Sequence, residues 1–256
     1  MRDILERVAD GTLTPAQAEA ELRGHARNDA GRFDAAREGR TGIPEAVLAE
    51  GKTARETATM VATSVETTGH ALATRVVREQ AEVVEEHLAD EHPEASLEYD
   101  DRARTLVAHA PDYEPPELAA TVGVVTAGTS DAIPAGEAAV TAGEMGATIE
   151  RVDDVGVAGI HRLFDSLDGI READVLVVAA GREGALPTVL AGLVDAPLIA
   201  LPVSTGYGHG GEGQAALDGM LQSCTPLTVV NIDAGFTAGA QAGLVARAVS
   251  AARTGE

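Results

Sequence analysis

The only cysteine of the chain, Cys224, stands in GMLQSCTPLTVVNID, where a helical period gives way to an apolar run. A thiolate is an intrinsically strong nucleophile, able to form a covalent adduct with an electrophilic substrate. Two arguments weigh against that use. A lone cysteine is most often a small buried hydrophobe, and the partial negative end of a helix disfavours a thiolate. On local grounds Cys224 reads as packing.

Glu183 lies in AAGREGALPTVLAGLVDAPL between Gly181 and Gly184, glycines that allow the backbone a close approach to a ligand and let the carboxylate project into a cleft. The same pattern fits a tight turn with a solvated Glu. In TAGTSDAIPAGEAA, Gly128, Thr129, Ser130 and Asp131 enter a helix and offer N–H and hydroxyl groups to an anion such as phosphate. A plain helix cap explains them equally. His161 and Arg162 open another helix in DVGVAGIHRLFD. STGYGHGGEG matches G-x-G-x-x-G at Gly206, Gly208 and Gly211, but it follows the fourth apolar run, where a dinucleotide fingerprint belongs after the first, and it reads as a flexible loop or lid. EGKT at residues 50–53 imitates the end of a phosphate-binding loop, yet Ala46 stands where that motif needs glycine.

The elements that must position these residues follow a regular pattern. TVGVVTA, ATIERVDD, DVLVVAA, PLIALPV and LTVVNI alternate with helical periods across residues 119–256. Nearly continuous apolar runs suit strands buried on both faces, and their alternation with helices implies right-handed crossovers and a parallel sheet. The expected fold class is α/β: a three-layer α/β/α sandwich on a five-stranded parallel sheet, with ligands at its C-terminal edge. Ahead of it, HAPDYEPPELA reads as a linker after a small α/β domain, residues 1–118. There Thr14 and Pro15 start a helix, TARETATMVATSVET and REQAEVVEEHLADE read as helices, and HALATRVV, SLEY and RTLVAH as strands.

Composition bounds the partners. Asp and Glu number 41 against 19 Lys and Arg, for a net charge of −22, which argues against nucleic acid or an anionic membrane. Lys52 is the sole lysine, and an acid-rich, lysine-poor chain suggests adaptation to high salt, where charges are screened within a few ångströms. One cysteine excludes an internal disulfide and a cysteine cluster for zinc. MRDILERVADG lacks a signal-peptide core, and the expected location is cytoplasmic. Aromatic residues make up 2% of the chain, so the core must be aliphatic.

Together AGTSD, AGIHR, AAGREGALPTVLAGLVDAPLIALPV and NIDAGFTAGAQAGLVA resemble the PurE (aminoimidazole ribonucleotide carboxylase) superfamily across residues 119–256. Within it the chain most resembles the LarB family, pyridinium-3,5-biscarboxylic acid mononucleotide synthase of nickel-pincer nucleotide biosynthesis. The N-terminal GRTGIPEAVLAEGKT, DVGVAGIHRL and GMLQSC before a TVVNIDAGFGAG-like string carry that likeness, here with Phe236 and Thr237 before Ala238.

The resemblance implies a substrate, nicotinic acid adenine dinucleotide, with CO2 or bicarbonate. It also implies two reactions: carboxylation of the pyridinium ring at C5, and phosphoanhydride cleavage releasing AMP. Cys224 matches the family's nucleophile and Glu183 its general base. Arg40, Gly42, Pro44, Glu45 and Lys52 match an N-terminal signature whose cations can hold carboxylate or phosphate, and His161 aligns with the PurE-signature histidine. Magnesium (Mg2+) is implied for the anhydride cleavage, with no ligands fixed. A homo-oligomer, an octamer in the family, places active sites between subunits, where a cysteine at a helix end can face a neighbour's cleft. The alternatives are a PurE-type aminoimidazole ribonucleotide carboxylase or mutase, and a non-enzymatic nucleotide-binding regulator on the same fold.

Overall fold

The computed structural model describes residues 1–206 and 208–255. They form two compact units, Met1–Glu114 and Pro115–Glu256, divided inside the proline-rich segment.

In the first unit, helices α1 (Arg2–Ala9) and α2 (Pro15–Arg23) precede a hairpin of β1 (Ala26–Asn28) and β2 (Gly31–Phe33). A short helix α3 (Arg37–Thr41) leads to β3 (Ala46–Leu48), α4 (Ala54–Thr68), β4 (His70–Thr74), α5 (Arg78–Glu91), β5 (Ser96–Asp100) and β6 (Thr105–His109). Local chemistry sets the helix starts. Thr14 accepts from the Gln17 N–H while Gln17 reaches back to the Thr14 N–H, and Thr53 and Glu56 repeat the device ahead of α4. The sheet has the order β3-β4-β6-β5, with β3 parallel to β4 and the other pairs antiparallel. Phe33, Val47, Val61, Val84 and Leu106 anchor its core.

The second unit runs β7 (Thr121–Thr126), α6 (Ala132–Glu144), β8 (Thr148–Val152), α7 (Ile160–Ile170), β9 (Val175–Ala180), α8 (Ala185–Ala191), β10 (Leu198–Pro202), α9 (Gln214–Leu221), β11 (Thr228–Val229) and α10 (Gly235–Thr254). Its sheet is all parallel, in the order β11-β10-β9-β7-β8. Central β9 and β10 are buried along their whole length, which their uninterrupted apolar runs dictate. Burial on both faces does not extend to the edges: β8 is half exposed and β11 shrinks to two residues, because an edge strand has a neighbour on one side only.

Alternate strand residues serve opposite faces. Val122, Val124 and Val177 point into the layer with α6 and α10. Val125, Leu176 and Val178 meet Leu163, Leu186 and Met220 of α7, α8 and α9. On the first face α10 approaches α6 through glycines one turn apart: a Cβ on Gly239 would lie 2.3 Å from the Ala138 carbonyl oxygen, and one on Gly235 2.3 Å from that of Pro134. The chain leaves β7 for β8 on one side and then crosses to β9 on the other, so the order reverses between β7 and β9. At such a switch point the loops part and leave a crevice beyond the strand C-termini. Among the described residues no helix is long and apolar enough to cross a membrane.

Candidate functional site

Five loops follow the strands at the C-terminal edge of the second unit. Backbone strain gathers in them. Asp154, Arg182, Glu212 and Asp233, the non-glycine residues of this unit with positive φ among those described, follow β8, β9, β10 and β11 respectively. Such conformations cost on the order of 1 kcal/mol or more each and concentrate where function over-determines the backbone.

The turn after β9 is the most constrained. The Gly184 N–H donates to the Gly181 carbonyl at 2.9 Å, with Arg182 between them at φ 52°. A Cβ on Gly181 would lie 2.4 Å from the Thr205 carbonyl oxygen, and one on Gly184, itself at φ 64°, would lie 2.6 Å from that of Ala216. Both positions therefore require glycine. The turn presents Glu183 to solvent at the mouth of a pocket of about 190 Å³, which it lines with Arg182, His209, Gly208 and Gly213. The glycine-rich segment after β10 thus forms a wall of the pocket. Tyr207, within that segment, lies outside the described residues.

In the loop after β7 one backbone donor is already engaged by a side chain of the loop itself. Asp131 is 2% exposed, and its carboxylate accepts from the Gly128 N–H at 2.8 Å, while the neighbouring Ala127 N–H donates to the Ala179 carbonyl at 3.0 Å. Burial pushes its pKa up to about 6 in spite of the Gly128 donor. The Gly128 N–H expected to meet a ligand is occupied by Asp131, while Thr129 and Ser130 remain on the surface. Thr205 Oγ1 donates to the Ser130 carbonyl at 3.2 Å, joining this loop to the one after β10.

After β8, Arg162 pairs with Asp154 of its own loop, and His161 is exposed on the first turn of α7. Thr126 Oγ1 donates to Asp153 at 3.0 Å and accepts from the Asp154 N–H at 3.0 Å, fixing this loop beside β7. Asp233 Oδ1 accepts from the Ser204 N–H at 2.9 Å.

Cys224 is exposed and sits in the turn between α9 and β11, toward the opposite edge of the sheet. Its neighbour Thr225 donates to the Thr188 carbonyl at 3.3 Å, at the middle of α8. Glu183 precedes α8, so the first half of that helix, about 6 Å at 1.5 Å per residue, stands between Glu183 and this anchor point along one chain. The fold does not bring the thiol and the carboxylate together within a subunit.

In the first unit the N-terminal motif is internally satisfied. Arg40 donates to both carboxylate oxygens of Asp34 at 3.0 and 2.7 Å, which holds the Asp34 carboxyl below its usual range. Arg37 pairs with Glu45 at 2.8 Å, Gly42 caps α3 at φ 69°, Pro44 is buried, and Lys52 Nζ donates to the Leu48 carbonyl at 2.5 Å. An anion bound by Arg40 must compete with Asp34.

Among the described residues no group of three or more His, Cys, Asp or Glu side chains converges on a metal position. The described residues therefore offer no all-protein cage for magnesium. Arg182, His209 and Gly219 were not legible as site residues. Arg182 adjoins Glu183 in sequence, but nothing local marks His209, or Gly219 beneath the turn.

Residues 121–256 match the family described as AIR carboxylase, and residues 26–110 the one described as LarB/PurE-like N-terminal domain. The chain is also 39% identical to an uncharacterized protein of Methanocaldococcus jannaschii over 96% of its own length and 97% of that protein's.

Proposed function

The chain belongs to the LarB family within the PurE superfamily, a family of carboxylase type, and on that premise we propose that it carboxylates nicotinic acid adenine dinucleotide at C5 of the pyridinium ring. In the same proposal it hydrolyses the phosphoanhydride with one water, giving pyridinium-3,5-biscarboxylic acid mononucleotide and AMP. The observation that carries this reading is Glu183, a carboxylate exposed at a pocket mouth beside the switch point on a turn where Gly181 tolerates no side chain.

A pyridinium ring is electron-poor, so its C5 cannot attack CO2 unaided. Addition of the Cys224 thiolate at C4 or C2 gives a dihydropyridine in which C5 is an enamine carbon. That carbon forms the new C–C bond to CO2. Glu183 then removes the C5 proton, and expulsion of the thiolate restores the aromatic cation, now with two carboxylates. Because Cys224 and Glu183 lie apart along one chain, the proposal includes a homo-oligomer in which the cysteine of one copy meets the pocket of another.

The test is to incubate the protein with nicotinic acid adenine dinucleotide, bicarbonate and magnesium at low and high salt, and to assay AMP and the dicarboxylated mononucleotide by mass spectrometry. Both products are expected. Their absence at every salt concentration would overturn the proposal.

A further inference from the structure

We infer that Arg182 and His209 form the subsite that takes the ring carboxylate of the substrate, and so make the pocket select the acid dinucleotide over its carboxamide counterpart. The identity of the ring rests on the function proposed above. The anion subsite rests on the pocket itself.

Two turns build this pocket, and they pack backbone to backbone. A Cβ on Gly181 would strike the Thr205 carbonyl oxygen, and one on Gly206 would lie 3.4 Å from the Arg182 nitrogen and 3.9 Å from its Cδ. The stem of Arg182 thus lies along Gly206, and both line the pocket with Glu183 and His209. Arg182 holds φ 52°, a conformation that glycine takes without cost, so the backbone gives no reason of its own for an arginine there. His209 stands between Gly208 and Gly210, at φ 98° and 69°, and neither neighbour carries a side chain to screen it from a ligand.

Size and charge narrow what can enter. The cavity of about 190 Å³ is smaller than the roughly 300–1,000 Å³ that drug-sized ligands fill, so it admits one end of a dinucleotide and not the whole. Glu183 and the net charge of −22 oppose an anionic end, which must therefore be met by local donors. On the lining these are a guanidinium, which forks onto both oxygens of a carboxylate, and an imidazole, which offers an N–H in either protonation state. A carboxamide fits them worse, because its NH2 would face N–H groups and it carries no charge. In the proposed reaction the ring carboxylate sits at C3 and the proton removed by Glu183 at C5. Both point outward in the ring plane on either side of C4. Arg182 and His209 can hold the one while Glu183 meets the other, and the faces of the ring stay open to a thiolate.

The test is calorimetric binding, without bicarbonate or magnesium, of nicotinic acid adenine dinucleotide and of oxidised nicotinamide adenine dinucleotide, which bears a carboxamide at C3. The unmutated chain should bind the acid about tenfold more tightly or better. In the double variant Arg182→Gln with His209→Ala, affinity for the acid should fall about 10–100-fold, as for lost charge-assisted hydrogen bonds, and that for the amide should stay within about twofold. Arg182→Lys, which keeps the charge and loses the fork, should fall between. Both side chains are exposed, so melting temperatures should hold within about 2 °C. A preference for the acid that survives in the double variant would overturn the subsite, as would its absence from the unmutated chain. Equal losses for acid and amide would assign the two residues to the phosphoanhydride and overturn it as well. If the unmutated chain forms no product but its preference disappears in the double variant, the proposed function fails and the subsite stands. Product formation with the preference intact in the variant removes the subsite and leaves the function.

Discussion

Gly219 of α9 lies so close under Glu183 that a Cβ on it would come within 2.5 Å of the Glu183 carbonyl oxygen. The obstacle is backbone, which cannot swing aside as a flexible side chain can. Gly219→Ala must therefore shift the turn that presents the carboxylate. The expected result is a loss of about 1–3 kcal/mol in stability by overpacking and a fall in turnover beyond what stability explains. Urea unfolding and steady-state kinetics on the same variant check it; wild-type kcat would separate the turn's position from catalysis.

Cys224 is exposed, so Cys224→Ser should leave unfolding within about 0.5 kcal/mol of the unmutated chain. Its carboxylation should fall below detection, since a serine hydroxyl is far weaker as a nucleophile at neutral pH. Glu183→Gln should slow carboxylation on the order of 10²–10⁴-fold, as expected for a lost general base. Full carboxylation by Cys224→Ser would leave the family membership standing and remove covalent catalysis.

In the first unit, Tyr113 stacks on His70 and on His109, each with ring centroids 5.0 Å apart, and neither ring nitrogen of His70 has a hydrogen-bond partner among the described residues. Burial first, then the neighbouring His109, lowers the His70 pKa from 6.5 to about 4. The unfolded chain takes up a proton below pH 6.5 that the folded chain refuses, so stability is full above that pH and is lost as pH falls toward 4. The loss is about 3 kcal/mol at 1.36 kcal/mol per unit. His70→Phe should flatten this part of the profile between pH 7 and 4. Identical pH slopes for the two chains would show that His70 is not its source.

With a net charge of −22 the folded chain repels itself. Raising salt from about 0.1 to 1 M shortens the screening length from about 10 to 3 Å, so the melting temperature should climb by several degrees in KCl. Constant or falling stability in calorimetry would remove the case for adaptation to high salt.

The sheet was legible because its signals are local. Apolar runs such as DVLVVAA, followed by glycine-containing turns and helical periods, state strand, loop and helix within about twenty residues of chain. Thr14 announced its helix for the same reason. What escaped depends on distance along the chain. An aspartate after Ser130 looks the same in sequence whether it faces solvent or is buried as Asp131 is, and the approach of Gly219 to Glu183 is set by how α9 settles on the turn. The edge strands β8 and β11 misled because an apolar run carries no mark of whether a neighbour lies on each side. Cys224 and Glu183 were paired by resemblance alone, since no interaction within one subunit joins them.

The close approach of α6 and α10 has a thermodynamic consequence for how the second unit folds. That face of the sheet is covered by Ala135, Ala138, Ala142, Ala238, Ala242 and the glycines between them. Alanine and glycine have no rotamer freedom to surrender on burial, whereas a buried leucine gives up about 0.5–1 kcal/mol of it. This layer trades hydrophobic area for a small loss of side-chain entropy, and it holds together through backbone proximity that any added methyl group would undo.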